Sequence, residues 1–268
     1  MCGSTSRPKK KIRFYYRKKI QSDISSLVKW SATSGMNFNA KKCQCMSFGR
    51  SNSPKEYHID GIRIPASPFF TDLGVRVNTS LNFQPHIDAC VSKSFAKLGV
   101  INKVFKNKNS LTRLYKAFVR PLTEYSCVVW NPHTRKGINK AESVQKRMCR
   151  MLPNVRLFPH YRDQLAFLGL MSMEARRLRY QLITIYKMYK GMTSLKLEDF
   201  FDRNNLKKTR GHSCTLTHKF AKNNYRLNFF TISCVKYWNM LSEEDISAPS
   251  LSYFKQCLKL FFARLDIW

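Results

Sequence analysis

The sequence predicts an α+β fold, mainly α, with a small antiparallel β patch near the N-terminus followed by a helical bundle. Three observations predict it. Tyr57-His58-Ile59 and Ile62-Arg63-Ile64 flank Asp60-Gly61, a two-residue turn pair that tolerates the positive φ a tight hairpin needs. Beyond Pro85, apolar residues recur at three- and four-residue steps in three separate stripes, the period of an amphipathic helix. Gly and Pro number only 10 each, too few for a collagen-like or elastic chain.

From the N-terminus, residues 7–19 (RPKKKIRFYYRKK) form a basic run without apolar periodicity, expected to be a flexible, solvated arm or a nucleic-acid or nuclear-import segment. Ile20, Ile24, Leu27 and Val28 then share one helical face, with Gly35 as its stop. Cys45-Met46-Ser47-Phe48 and the stretch 73–77 read as strands beside the hairpin. Leu111, Leu114, Tyr115, Phe118, Leu122, Tyr125 and Val129 make a broad helical stripe, kinked at Pro121. Val144, Met148, Met151 and Leu152 make a second, closed by Pro153 and backed by Lys140, Lys146, Arg147 and Arg150. Leu178, Leu182, Ile185, Tyr189 and Met192 make a third, opened by Ser172 as N-cap. Arg176, Arg177, Arg179, Lys187 and Lys190 lie off that stripe. Residues 203–224 read as a polar loop, and helical pieces near 231–241 and 253–265 end the chain.

Composition narrows the function. The 268 residues carry 48 Lys+Arg against 16 Asp+Glu, a net charge of +32. With 43% hydrophobic and 13% aromatic residues the chain is no disordered basic tail. No apolar run approaches the ~18 residues of a membrane span, and the basic start lacks the apolar centre of a secretory signal. Nine Cys without any C-x-x-C pair read as reduced thiols, expected of an intracellular chain of nucleus and cytoplasm. A surface this cationic repels itself unless a polyanion neutralises it, and nucleic acid is the usual polyanion.

A self-sufficient active site is not legible. Two-metal catalysis needs carboxylates converging on ions ~4 Å apart, yet there is no Asp-Asp pair. Glu198-Asp199 with Asp202, and Glu243-Glu244-Asp245, read as solvated helix faces or helix starts. His212, Cys214 and His218 sketch a loose zinc arm with no second arm to complete a tetrahedron. P-loop, dinucleotide and G-x-S-x-G signatures are absent. Binding chemistry remains, with Lys41 and Lys42 before the Cys45–Phe48 segment, and Lys140, Lys146, Arg147 and Arg150 along one helix. Such faces are also, in the plainer case, merely solvated.

An ordered series of short segments runs through the chain. It begins Ile20-Gln21-Ser22-Asp23-Ile24, Val28-Lys29-Trp30-Ser31 and Gly35-Met36-Asn37-Phe38-Asn39-Ala40-Lys41-Lys42-Cys43. It continues through Asp72-Leu73-Gly74-Val75, Leu81-Asn82-Phe83, Val119-Arg120-Pro121-Leu122-Thr123-Glu124-Tyr125 and Val129-Trp130-Asn131-Pro132. Glu142-Ser143-Val144-Gln145-Lys146-Arg147, Leu168-Gly169-Leu170, Arg176-Arg177, Trp238-Asn239 and Phe254-Lys255 complete it. This series resembles the C-terminal part of a non-LTR (LINE-type, jockey-like) retrotransposon reverse transcriptase.

The resemblance implies a basic arm over 1–19, a palm remnant with a primer-grip-like hairpin over 20–83, a thumb-like helical domain over 84–200 and a C-terminal extension over 201–268. It implies that Lys41, Lys42, Arg120, Lys140, Lys146, Arg147 and Arg150 meet an RNA template, a DNA primer or their hybrid duplex, with Lys42 near a leaving pyrophosphate. The family's Asp-Asp hairpin should stand just before Ile20, where this chain has MCGSTSRPKKKIRFYYRKK. The implied parent is therefore an RNA-directed DNA polymerase (a nucleotidyltransferase), and this chain is expected to bind template–primer without extending it. Mg²⁺ belongs to the full-length family. No cofactor, membrane or small-molecule partner is expected for this chain. The alternative is a non-enzymatic basic scaffold for RNA or DNA.

Overall fold

A computed structural model describes residues 9–48, 56–105, 110–204 and 211–265, with the backbone alone for 9–18. The chain divides into two compact units, Met1–Asn82 and Phe83–Trp268. It is mainly α, with two small two-stranded antiparallel sheets, both in the first unit.

In the first unit, helix α1 (Lys9–Thr33) begins eleven residues ahead of the apolar stripe. The basic run expected as a flexible arm is thus helical from Lys9 onward, and its first residues, 1–8, lie outside the described residues. The stop is local. Gly35, at φ +67°, lets Met36 N–H return to Ser31 O at 3.0 Å and Gly35 N–H to Ala32 O at 3.3 Å, the two-bond cap that satisfies otherwise orphaned carbonyls. Only half of the expected stripe is used. Ile24 and Val28 pack on the small core of Ala40, Tyr57, Ile59 and Ile64, whereas Ile20 and Leu27 stay exposed.

Strands β1 (His58–Ile59) and β2 (Ile62–Arg63) pair His58 with Arg63 and Ile59 with Ile62. Asp60 and Gly61 both take positive φ between them, as the sequence predicts. The Gln21 amide anchors α1 to this hairpin, donating to His58 O and accepting from His58 N–H, both at 3.0 Å. Two strand expectations need correction. Among the described residues the segment 45–48 forms no strand, only one parallel bridge from Cys45 to Ala66, in which Cys45 N–H donates to Pro65 O and Ser67 N–H to Cys45 O, both at 2.9 Å. Leu73-Gly74 is not the head of a strand but a turn with φ of 43° and 84°. It joins β3 (Phe69–Asp72) to β4 (Val75–Asn78), a second hairpin that the mixed Phe-Phe-Thr-Asp run concealed.

The second unit opens with α2 (Gln84–Val104), which buries Ile87, Val91, Leu98 and Ile101 on one face. The expected single kinked helix over 111–129 is instead a broken path. It comprises α3 (Leu111–Leu114), a π-turn over Tyr115–Val119, a 3₁₀ turn over Arg120–Thr123 and α4 (Cys127–Trp130). Pro121 supplies no N–H to an α-ladder, and Ser126 turns the chain at φ 51°. Leu111, Tyr115, Val119, Thr123 and Cys127 are buried at steps of four, Glu124 and Trp130 are buried beside them, and Phe118, Tyr125 and Val129 face outward.

Helix α5 (Arg135–Arg150) is capped by Thr134, which accepts from Gly137 N–H at 3.2 Å. A short helix, α6 (Tyr161–Phe167), leads to α7 (Met173–Tyr189). Ser172 caps α7 by accepting from Ala175 N–H at 3.1 Å.

The C-terminal segments are α8 (Leu197–Phe200), α9 (Asn224–Leu227), α10 (Phe230–Ser233), α11 (Val235–Trp238), α12 (Glu243–Ile246) and α13 (Leu251–Arg264). Helices α8 and α13 pack on α7, and α10, α11 and α12 add Phe230, Trp238 and Ile246 to the same core. Tyr186 stacks on Phe254 with ring centroids 4.0 Å apart, and its hydroxyl donates to Ala248 O at 2.7 Å. Trp238 is fully buried and donates to Cys214 O at 2.9 Å. Helix α7 is thus covered on two faces, since it also packs against α4 and α5. That is why Arg177, which lies off the apolar stripe, is completely buried.

Candidate nucleic-acid interface

Four of the seven expected binding residues come together on α5. Lys140, Arg147 and Arg150 recur at steps of seven and three, so they line one face over about 15 Å of axis, with Lys146 at its edge. The opposite face is held inward by Ala141, Gln145 and Cys149, all essentially without exposure. Their availability differs. Arg147 and Arg150 are exposed. Lys140 pairs with Asp88 at 2.7 Å, and Lys146 sits over the Tyr161 ring, 5.1 Å from its centroid. The ammonium of Lys140 hydrogen-bonded to Asp88 holds that carboxyl below its ordinary range, outweighing burial. Arg147 and Arg150 also occupy the last turn of α5, where cations complement the helix dipole.

Lys41 and Lys42 belong to the first unit. They form a 3₁₀ turn, Ala40–Lys42, held open to solvent by Asn39, whose side chain accepts from Lys41 N–H at 3.1 Å. Arg120 is different again. Its side chain is only 18% exposed, with Nε 3.5 Å from Glu124 Oε1. Glu124 is already engaged, because Arg176 donates to both of its oxygens, through Nε to Oε1 and through Nη2 to Oε2 at 3.1 Å. Tyr180 OH adds a third bond at 3.2 Å. Burial, then the neighbouring Arg176 charge, pulls the Arg120 guanidinium below its ordinary value. For Arg176, the Glu124 hydrogen bonds and charge outweigh burial and raise it.

This cluster of Arg120, Glu124, Arg176 and Tyr180 was not legible in the sequence. Its hydrogen-bonded pairs lie up to 56 residues apart, and no local period links them. A second buried carboxylate, Glu142, is wholly structural. It accepts from Tyr161 OH at 2.6 Å and from Met173 N–H at 2.9 and 3.1 Å, tying α5 to the start of α7. Arg177 donates through Nε to Asn131 Oδ1 at 2.9 Å, while its Nη1 and Nη2 find no hydrogen-bond partner among the described residues.

Of the acids that might hold two Mg²⁺ ions, four are engaged locally, and among the described residues none gather as a metal-binding group. Glu198 pairs with Arg203 at 2.9 Å and Asp202 with Lys219 at 2.7 Å. Glu243 accepts from Ser213 N–H and Oγ at 2.5 and 2.8 Å, and Asp245 closes a capping box with Ser242. These residues do not fit a two-metal centre. His212 Nε2 lies 3.0 Å from Trp238 O, inside the core. Among the described residues no three His, Cys, Asp or Glu side chains gather as a metal site. Eight described cysteines are free, and burial pushes the Cys127 thiol up to about 12, far from a nucleophilic thiolate at neutral pH. No described helix is long and apolar enough to cross a membrane.

No protein-family model matches the chain, and no solved structure matches it. Uncharacterized protein B0403.1 of Caenorhabditis elegans is 30% identical over 125 residues, 45% of this chain. The matched region spans 63% of that relative's length.

Proposed function

We propose that the chain is the template–primer-binding part of a non-LTR retrotransposon-type reverse transcriptase. It contacts an RNA template, a DNA primer or their hybrid inside the cell, in nucleus and cytoplasm, and holds no cofactor of its own. The reading rests on the ordered series of family-like segments. The observation that carries its physical side is a +32 chain with exposed Arg147 and Arg150 aligned on one face of α5. Cations in such a row neutralise successive phosphates and release their counterions, so binding weakens steeply as salt rises. Glu198, Asp202, Glu243 and Asp245 are engaged in ion pairs and caps, which favours binding without primer extension as the chain's contribution.

The test is affinity for a primer–template duplex across a salt series, beside a primer-extension assay with Mg²⁺. A log–log slope of several negative units and no extension are the expected results. Salt-independent affinity would remove the electrostatic basis. Template-directed incorporation abolished by EDTA would show a catalytic centre that this reading denies. The scaffold alternative is favoured by equal affinity for unstructured RNA and for primer–template, since packaging needs no duplex geometry.

A further inference from the structure

Between Asp202 and Glu243 the sequence contains no acid, and the fold turns part of that stretch outward. Residues 217–229 (THKFAKNNYRLNF) are held at both ends and buried nowhere between. At the leading end Leu216 lies in the core, its N–H donating to Asn239 Oδ1 at 2.9 Å and its carbonyl accepting from Asn239 Nδ2 at 2.8 Å. Thr217 N–H then donates to Asp202 O at 2.8 Å, and Lys219 pairs with the Asp202 carboxylate at 2.7 Å. At the far end Phe230 and Ile232 return to the core.

The segment shows aromatic rings and cations to solvent. Phe220 is 86% exposed, Tyr225 56% and Phe229 40%. No ring or cation contact occupies Phe220 or Tyr225 among the described residues, and Lys222 is exposed with no ion-pair partner among them. Arg226 is also exposed, with its guanidinium carbon 5.8 Å from the Phe229 ring centroid. The single turn of α9, closed by Asn228 N–H on Asn224 O at 3.0 Å, sets Tyr225 and Phe229 four residues apart on one side. Phe220 stands five residues before Tyr225, no more than about 18 Å away along an extended chain. Large apolar groups kept in water by a segment anchored at both ends mark an interaction surface.

Charge and chemistry select its occupant. Rings interleaved with cations and free of acids suit an unpaired strand, whose phosphates meet the cations while its bases stack on the rings. Asn223 stands at the N-cap of α9 without a side-chain capping bond, so its amide offers a donor and an acceptor to a base edge. A lipid surface fits less well. It is met by an amphipathic helix of several turns, whereas α9 has four residues, and Asn223, Asn224 and Asn228 interrupt the apolar positions.

We propose that residues 217–229 form a stacking platform for an unpaired nucleic-acid strand, with bases on Phe220 and Tyr225 and phosphates on Lys222 and Arg226. The platform rests on the proposed nucleic-acid binding for its occupant, and it adds a single-strand surface built from other elements than the α5 face.

The test measures binding of a labelled single-stranded oligonucleotide by fluorescence anisotropy to the full chain and to its variants. All four substituted side chains are exposed, so thermal melts should match the wild type. Phe220→Ala and Tyr225→Ala should each lower affinity about tenfold, with the salt slope unchanged because no cation is removed. Tyr225→Phe should keep wild-type affinity, and an abasic strand of equal length should bind the wild type and the alanine variants alike. Lys222→Gln combined with Arg226→Gln should flatten the slope by about 1.4, or about 0.7 for each lost phosphate contact. Unchanged strand affinity in both alanine variants would overturn the platform, while duplex binding by Arg147 and Arg150 variants judges the α5 face separately. Absence of all nucleic-acid binding by the wild-type chain would overturn both readings. Phosphatidylcholine–phosphatidylserine vesicles that bind the wild type but not Phe220→Ala, with strand affinity unaffected by that substitution, would assign the segment to a lipid surface and overturn the strand as occupant.

Discussion

Replacing Arg147 and Arg150 together by Gln isolates the α5 face from the fold that carries it. Both side chains are exposed, and the helix packs through Ala141, Gln145 and Cys149 on its other side. The structural cost is limited to the loss of two cations from a helix C-terminus, at most about 1 kcal/mol each. The binding cost is larger and has a distinct signature. Each phosphate contact contributes about 0.9 to the slope of log affinity against log salt on duplex DNA. Losing two should flatten the slope by about 1.8. Over a fourfold rise in salt, from 50 to 200 mM, the wild type should then lose roughly 12-fold more affinity than the variant. Anisotropy titrations with a labelled primer–template at four or more salt concentrations read this directly. Parallel slopes for the two proteins, with binding retained in both, would refute α5 as a phosphate-tracking face whatever their absolute affinities.

Three further outcomes follow from the same coordinates. Glu142→Gln replaces the charged acceptor of Tyr161 OH and Met173 N–H and sets an amide donor against a backbone donor. It should cost about 2–4 kcal/mol, seen as a fall in Tm of about 5–15 °C. A loss under about 0.5 kcal/mol would show that the α5–α7 tie is dispensable. Gly35→Ala forces a side chain into the left-handed region at φ +67°, where nothing else crowds it, so the cost of about 1–2 kcal/mol is purely conformational. Urea unfolding followed on the α1 segment checks it, and an unchanged midpoint would contradict the cap. The Asp88 carboxyl is lowered in the fold by Lys140, so its contribution to stability is present above its unfolded value near 3.8 and fades as pH falls through the lower folded value. Asp88→Asn should remove that acid-side dependence and, by freeing Lys140, tighten duplex binding at low salt. Weaker binding would place Lys140 outside the interface.

Elements specified by neighbouring residues were legible. Asp60-Gly61 fixes a hairpin because the turn's φ values are a property of two residues, and the Ser172 cap with the Leu178, Leu182 and Ile185 stripe locates α7 for similar reasons. The basic face of α5 was legible because an exposed charge requires no partner to be placed. Leu73-Gly74 misled for the converse reason. Its apolar residue suggested a strand, while the backbone at Gly74 supplied a turn.

Composition and short-range pattern by themselves determined a mainly helical, strongly cationic chain with a small β patch, because charge and periodicity are summed or repeated along the sequence. Tertiary structure alone decided that Arg177 lies inside, that the stretch from Leu111 to Trp130 breaks into four short segments, and that Glu124, already paired with its neighbour Arg120, takes its hydrogen bonds from the distant Arg176. A helical stripe reports one packed face, and α7 has two. An ion pair spanning 52 residues leaves no periodic trace, since its energy depends on distance in space and on burial, neither of which is written in the order of residues.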